Sequence, residues 1–334
     1  MEDLMKAIVL SGQNLKVQNV SKPQVAEAGH LIIKMNSSAI NSGDKFFLKH
    51  PTPPGAPKSL YEIRGVSGVG MVEQIGEGVP QEYLGKNVTL YRQLKYSENI
   101  IGTWCEYSHV HYLACAILPE SVDPEDYSGS MVNIITPYGF YKQVINEGHQ
   151  GIISTAGSSA TGIALLGFCL TYDFPLISIV RNNESKKELL ELGAKNIVVQ
   201  SDADFAQQLK QVAQDLKTTA IFDGVGGDIL NKITDSLPNN STIYAYGFIG
   251  DQVPFTFHTS MLSLKNLMIR PFSNLKTDTV QNPQNLEKAL KEISRLIHMP
   301  HFKTKTGKRF KLEEINDALL FTTVKGRKAV LYHA

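Results

Sequence analysis

Cysteine is scarce, excess charge is missing and no long apolar run exists. The three cysteines, Cys105, Cys115 and Cys169, cannot all pair and none forms a C-x-x-C with another, which argues against a disulfide framework and for reduced thiols, as in a cytoplasmic protein. Lys and Arg total 33 against 32 Asp and Glu, a net charge of +1, so no overall field gathers nucleic acid or an anionic membrane. The expected partner is a small molecule, with no nucleic acid and no membrane. No apolar stretch is long enough to span a bilayer, and the start Met1-Glu2-Asp3 lacks the basic opening and apolar run of a secretory signal. Internal repeats and low-complexity tracts are missing too.

What is present is ordinary globular material, 42% hydrophobic and 19% charged over 334 residues, a length that favours two domains over one. From residue 5 to about 110, short strand patterns broken by Gly and Pro fall at 6–10, 15–20, 31–35, 70–75, 87–91 and 104–110, as in a partly open β-barrel-like domain. The prolines of 51–57 read as a rigid loop. After Pro119, strand-length apolar runs at 152–155, 176–180, 197–199, 220–223, 242–246 and 267–270 alternate with helical periodicity. That alternation predicts α/β structure, a doubly wound parallel Rossmann sheet. Phe205, Leu209, Val212 and Leu216 mark one helix face, Gly193 caps the preceding helix, and Asn282-Pro283 starts a helix carrying Leu286, Leu290, Ile293 and Ile297. The stretch 310–332 carries one short helix and a terminal strand, and is expected to return to the first domain.

The run Ala156-Gly157-Ser158-Ser159-Ala160-Thr161-Gly162 follows a strand and precedes an apolar helix. Small residues there let the backbone approach a pyrophosphate, and the helix N-terminus supplies amide donors. The pattern departs from G-x-G-x-x-G because Ser159 holds a glycine position, and a ligand-free tight turn is the alternative. The next strand ends on Arg181, where NAD-binding sequences place an acidic residue for the ribose. A guanidinium there, with Lys186, suits the 2′-phosphate of NADPH.

Seven segments then fall in order: Asn41-Ser42-Gly43-Asp44; Arg64-Gly65-Val66-Ser67-Gly68-Val69-Gly70 with Ile75-Gly76-Glu77-Gly78-Val79; Gly102-Thr103-Trp104-Cys105-Glu106-Tyr107; and Val132-Asn133-Ile134-Ile135-Thr136-Pro137-Tyr138. They continue with the turn of Ala156, Ser159 and Gly162, then Asp223-Gly224-Val225-Gly226-Gly227, then Tyr244-Ala245-Tyr246-Gly247. Across nearly its whole length the chain resembles the zinc-free medium-chain dehydrogenases/reductases, the branch of quinone reductases and 2-enoyl thioester reductases. The resemblance implies a catalytic domain from 1–122 and 271–334, a nucleotide-binding domain from 123–270, and an active site in the cleft between them.

It further implies NADPH as cofactor and hydride transfer to a quinone or an α,β-unsaturated carbonyl. Asn41 would border the nicotinamide and Thr136 hold its carboxamide, the bland alternatives being a turn-forming Asn and a helix-interior Thr. Tyr138 and Tyr61 are candidate proton donors, with a hydroxyl at a core edge or pocket rim the competing account. Ser158, Ser159, Ala160, Thr161, Arg181, Lys186, Val225, Tyr246, Gly247, Phe272 and Lys328 form the expected cofactor-binding set. Zinc relatives place a Cys near Asn41–Asp44 and a His before the Gly-x-Gly turn, where this chain has Ser42 and Val66. No metal site is therefore expected, and no His lies in ligand spacing with another His or Cys.

Two alternatives stand beside this reading. The 2-enoyl thioester reductases carry a tyrosine where counting forward gives Thr52, which weighs against that chemistry. A non-catalytic NADPH-binding regulatory protein is the other. The basic residues Lys303, Lys305, Lys308, Arg309 and Lys311 read as a solvated loop face rather than a grip for a large acyl carrier, and Cys169 as packing. The strand at 267–270, following the polar-poor segment 253–264, is expected to leave an edge that pairs two copies into a homodimer.

Overall fold

In the computed structural model, which describes residues 3–12, 14–49, 59–250, 253–322 and 326–333, the chain begins with an antiparallel pair, β1 (Leu4–Ser11) and β2 (Asn14–Ser21). Gly12 takes the left-handed conformation that this tight connection requires (φ +63°). Next comes β3 (His30–Ala39), whose nearly continuous burial reflects two neighbours on one edge. Its first half pairs with β6 (Tyr107–His111) and its last residues pair with β15 (Lys328–Tyr332), while β4 (Ser67–Ile75) lies along its other edge. Between β3 and β4 stands α1 (Ser42–Lys49), and β5 (Asn87–Tyr91) and β7 (Cys115–Ile117) complete this side. The strand expected at 104–110 starts later, at Tyr107, because Trp104 and Cys105 instead bond singly to β1.

Helix α2 (Ser130–Asn146) leads into the second unit, a six-stranded parallel sheet. Its elements are β8 (Ile152–Ser154), α3 (Ala160–Thr171), β9 (Leu176–Val180), α4 (Asn183–Glu191), β10 (Asn196–Val199), α5 (Phe205–Asp215), β11 (Ala220–Asp223), α6 (Asp228–Ile233), β12 (Thr242–Ala245), α7 (Ser260–Leu264) and β13 (Met268–Pro271). The spatial order is β10-β9-β8-β11-β12-β13. Strand residues alternate between two cores, as a period of two demands. Ile152, Leu176, Val180, Phe222 and Tyr244 pack with Phe140 and Leu165 on one face, and Ile153, Ile177, Ile179, Ile221 and Ile243 pack with Phe205, Leu209 and Leu230 on the other. Both faces are thus covered by helices, as in a doubly wound parallel sheet.

After α8 (Asp278–Gln281), the chain runs through α9 (Pro283–Leu296), β14 (Thr306–Lys311) and α10 (Ile315–Leu320) to β15. Asn282 caps α9 by accepting from the amides of Gln284 and Asn285, and Leu286, Leu290 and Ile293 are buried on its inner stripe. Contacts divide the chain into Met1–Asn133 with Asn282–Ala334, and Ile134–Gln281. The basic run 303–311, which the sequence suggests is a loop face, is partly the strand β14, paired parallel to β15 at the edge of the seven-stranded sheet. Only Phe310 in β14 is fully buried, which hides the alternation in the sequence. Exposed Lys and Arg suit an edge that must not pair with other chains, and Arg309 and Lys303 meet Glu125 at 2.6 Å and Asp126 at 2.8 Å.

Candidate functional site

The turn from β3 into α1 gathers the polar groups of the first unit. Asn41 and Asp44 are both buried. The Asn41 backbone amide donates to Asp44 Oδ2 at 2.8 Å, and its side-chain Nδ2 donates to the same oxygen at 3.1 Å and to Ser67 Oγ at 2.8 Å. Its Oδ1 accepts from Lys328 Nζ at 2.5 Å. Both amide donors of Asn41 are therefore engaged within the protein, whereas the Lys328 ammonium has three donors and gives one to Asn41. Lys328 runs beside Gly129, where a Cβ would meet its Cδ at 3.4 Å and the Ala39 Cβ at 2.6 Å; a side chain at Gly129 would crowd it.

Burial lowers the pKa of Lys328 to about 8, with Asp44 opposing the shift. The Asp44 carboxyl moves the other way: burial raises it, outweighing its hydrogen bonds from Asn41 and the positive charges of Arg92 and Lys328. Asp44, Ser67 and Arg92 had no assigned role in the sequence. Asp44 three residues after Asn41, at the start of a helix, was the one available signal.

The second unit holds the strand-turn-helix. Ser159 caps α3, its Oγ accepting from the Gly162 amide at 3.1 Å. A Cβ on Gly162 would lie 2.3 Å from the Ala156 carbonyl, and one on Gly157 would lie 2.9 Å from Ser178 Cβ. Helix and strands therefore approach as closely as a dinucleotide turn needs, although the middle glycine position is Ser159. Its hydroxyl is also bonded to that of Tyr246, whose ring stacks on Phe222 at 3.9 Å between centroids. The buried Asp223 organises the next loop: it accepts from Thr155 Oγ1 at 2.6 Å and from the amides of Val225 and Gly226 at 3.1–3.2 Å. Gly247 lies against this loop, since a Cβ there would meet the Gly224 carbonyl at 2.9 Å.

Ser158, Ala160 and Thr161 occupy the turn and the first residues of α3. Arg181 follows the end of β9, exposed and without an ion pair among the described residues. Asn182 alone caps α4, accepting from Ser185 at 3.0 Å, so Arg181 is not used by the capping corner. Lys186 lies on that helix. Thr136 is half-buried in α2, and Tyr138 is buried against Phe168 at 5.3 Å. Phe272 belongs to the core that contains Phe140 and Tyr244. Tyr61, exposed, lies in the first unit. Thr52 falls outside the described residues, as does the loop 51–57.

Cross-strand pairing produces a group that sequence spacing conceals. Glu27, His30 and His109 place ligand-type atoms within 4.8 Å of one another, which corrects the expectation that no histidine has a ligand-spaced partner. His30 lies opposite His111 on β3 and β6, with His109 two residues away. The ring nitrogens of this pair are engaged: those of His30 with Ala28 O at 2.8 Å and Ser97 Oγ at 2.5 Å, those of His109 with Asn99 O at 2.9 Å and the Glu27 amide at 3.3 Å. None of these groups belongs to the Asn41 group. Turnover is accordingly expected to survive exhaustive chelation; loss of activity restored by zinc would contradict this.

A candidate NADPH:quinone reductase from Mesorhizobium loti superposes with a TM-score of 0.77 over 100% of this chain and 99% of its own, at 22% identity. The chain has the fold of the medium-chain quinone reductases. Quinone oxidoreductase 1 of Escherichia coli is 23% identical over 199 residues, 58% of this chain and 57% of that protein. The mitochondrial enoyl-[acyl-carrier-protein] reductase of Xenopus tropicalis is 22% identical over 92% of this chain and 87% of its own. The chain spans 57–61% of the length of the first curated relatives it matches. No family model matches it.

Proposed function

We propose that this protein is an NADPH-dependent, zinc-independent oxidoreductase that reduces a quinone or an α,β-unsaturated carbonyl compound. The observation that carries this reading is the Asn41–Asp44–Lys328 group, in which the buried Asn41 and Asp44 hold a half-buried cation with donors to spare. Negative charge developing on an acceptor oxygen would be stabilised there by the Lys328 ammonium, positioned by Asn41, which Ser67 and Asp44 hold in turn. NADPH, when bound, supplies the hydride. The close-packed turn at Gly157 and Gly162, the N-terminus of α3 and Arg181, which has no ion pair among the described residues, suit a nucleotide carrying a 2′-phosphate. Ser158, Ala160, Thr161, Val225, Tyr246, Gly247 and Phe272 are proposed to complete its binding, and Thr136 to orient the carboxamide.

The test is NADPH consumption, followed by absorbance, with a panel of quinones, enones and enoyl thioesters. Turnover of quinones or enones supports the reading. The enoyl thioester alternative is favoured by the relative matched over 92% of the chain, and turnover confined to thioesters would establish it instead. Tight nucleotide binding with no turnover of any acceptor would favour the regulatory alternative.

We also propose a homodimer. β13 is the edge of the parallel sheet, and Met268 and Ile269 on it and Leu264 before it are exposed at 43%, 39% and 79%. An uncovered apolar edge is a template for a second copy. Light scattering at micromolar concentration should give twice the chain mass; a single-chain mass would contradict the proposal.

A further inference from the structure

Positive charge around the Asn41 group exceeds what the neighbouring side chains neutralise. Arg92 directly follows β5, its backbone amide donating to the Val66 carbonyl at 2.9 Å. Its Nε is buried without a hydrogen-bond partner among the described residues, and so is the Nε of Arg64. Among the described residues the Arg92 guanidinium forms no ion pair; Asp44, Tyr96, Arg64 and Tyr91 are neighbours whose charges it feels. Arg64 has Glu62 at 3.6 Å, beyond hydrogen-bond length. Lys328 is the third cation. Against these three stand two carboxylates: Glu62 beside Arg64, and Asp44, already accepting from the backbone amide and side chain of Asn41.

Both arginines are half-buried, and a guanidinium whose Nε is shielded from water with no acceptor is costly unless an anion meets it. Its planar fork matches a carboxylate, which takes two parallel charge-assisted bonds. Tyr96, a neighbour of Arg92, is 44% exposed, and Tyr61, close to Arg64 along the chain, is 45% exposed, so aromatic surface for a planar acceptor lies in the same unit. Tyr61 and Glu62 both have positive φ, 56° and 54°, a conformation uncommon for non-glycine residues.

We propose that Arg92, with Arg64 beside it, binds a carboxylate on the acceptor, so that the preferred substrates are quinones or enones bearing an acidic group. This rests on the reductase reading above and narrows it. The neighbouring Lys328 would serve the reacting oxygen, and the two arginines the group that selects the molecule.

The test compares a carboxylate-bearing naphthoquinone with its methyl ester. With NADPH as donor, kcat/KM for the wild type is expected to favour the acid by roughly 10- to 150-fold, the range for hydrogen bonds to a charged group, expressed mainly in KM. Arg92→Met should bring the acid-to-ester ratio close to one, whatever it does to the absolute rate, and Arg92→Lys should keep part of the preference. Calorimetric titration of both compounds, without nucleotide, gives the same ratio independently of turnover. Equal affinity and equal kcat/KM for acid and ester in the wild type would overturn the inference, as would an acid preference that survives in Arg92→Met. If Arg92→Met fails to fold, the wild-type ratio and Arg92→Lys decide. Acid-selective binding with no turnover of either compound would reject the reductase reading while upholding the arginine site.

Discussion

Replacing Lys328 with methionine is expected to lower kcat by roughly 10²–10³-fold, the loss seen when a preorganised donor to a developing oxyanion is removed. Affinity for NADPH should change much less, because among the described residues the ammonium's bond is to Asn41. The same group sets a pH dependence. Burial holds the Lys328 pKa near 8, below the ordinary lysine value. The charged form that stabilises negative oxygen is therefore complete below that value and is lost as pH rises through it. Wild-type kcat should fall above about pH 8, and this limb should disappear in Lys328→Met. A variant with wild-type kcat and an unchanged alkaline limb would remove Lys328 from the reaction.

Arg181→Ala is expected to weaken NADPH by roughly 10- to 150-fold while leaving NADH nearly unchanged, since a hydrogen bond to a charged group contributes about 1.5–3 kcal/mol. The guanidinium is exposed just beyond β9, and its removal breaks no ion pair among the described residues. An acidic residue in this place would favour a free ribose hydroxyl; arginine favours a phosphate. The ratio of kcat/KM for the two nucleotides, measured on both proteins, decides the matter. Equal losses with both, or a wild type that prefers NADH, would refute it.

The parallel sheet was legible in the sequence because its strands are short apolar runs and its helices declare themselves by caps and periodicity. Leu176–Val180 and Ala220–Asp223 fall where the pattern places them, and Asn282 and Gly193 mark their helix ends. The antiparallel sheet was harder. β14 has one fully buried side chain among charged residues, and β7 is only three residues long. Neither leaves a periodic trace. Of the candidate site, Asn41 and Lys328 came from resemblance, 287 positions apart, and β3 and β15 bring them within a hydrogen bond. Asp44, Ser67 and Arg92 gain meaning only from burial and from the company they keep, which no local pattern encodes. The pairing of His30 with His109 was hidden for the same reason: strand register, not spacing along the chain, makes them neighbours.

The central claim is hydride transfer from NADPH to carbon or quinone oxygen, and isotope transfer addresses it most directly. NADPH carrying deuterium at the transferable position of the nicotinamide C4 would be incubated with the protein and a turned-over enone in ordinary water. The account predicts one deuterium on the β-carbon of the reduced product and a solvent-derived hydrogen on the α-carbon. Reduced product without deuterium at the β-carbon, or no reduced product with any enone or quinone while NADPH remains bound, would contradict it.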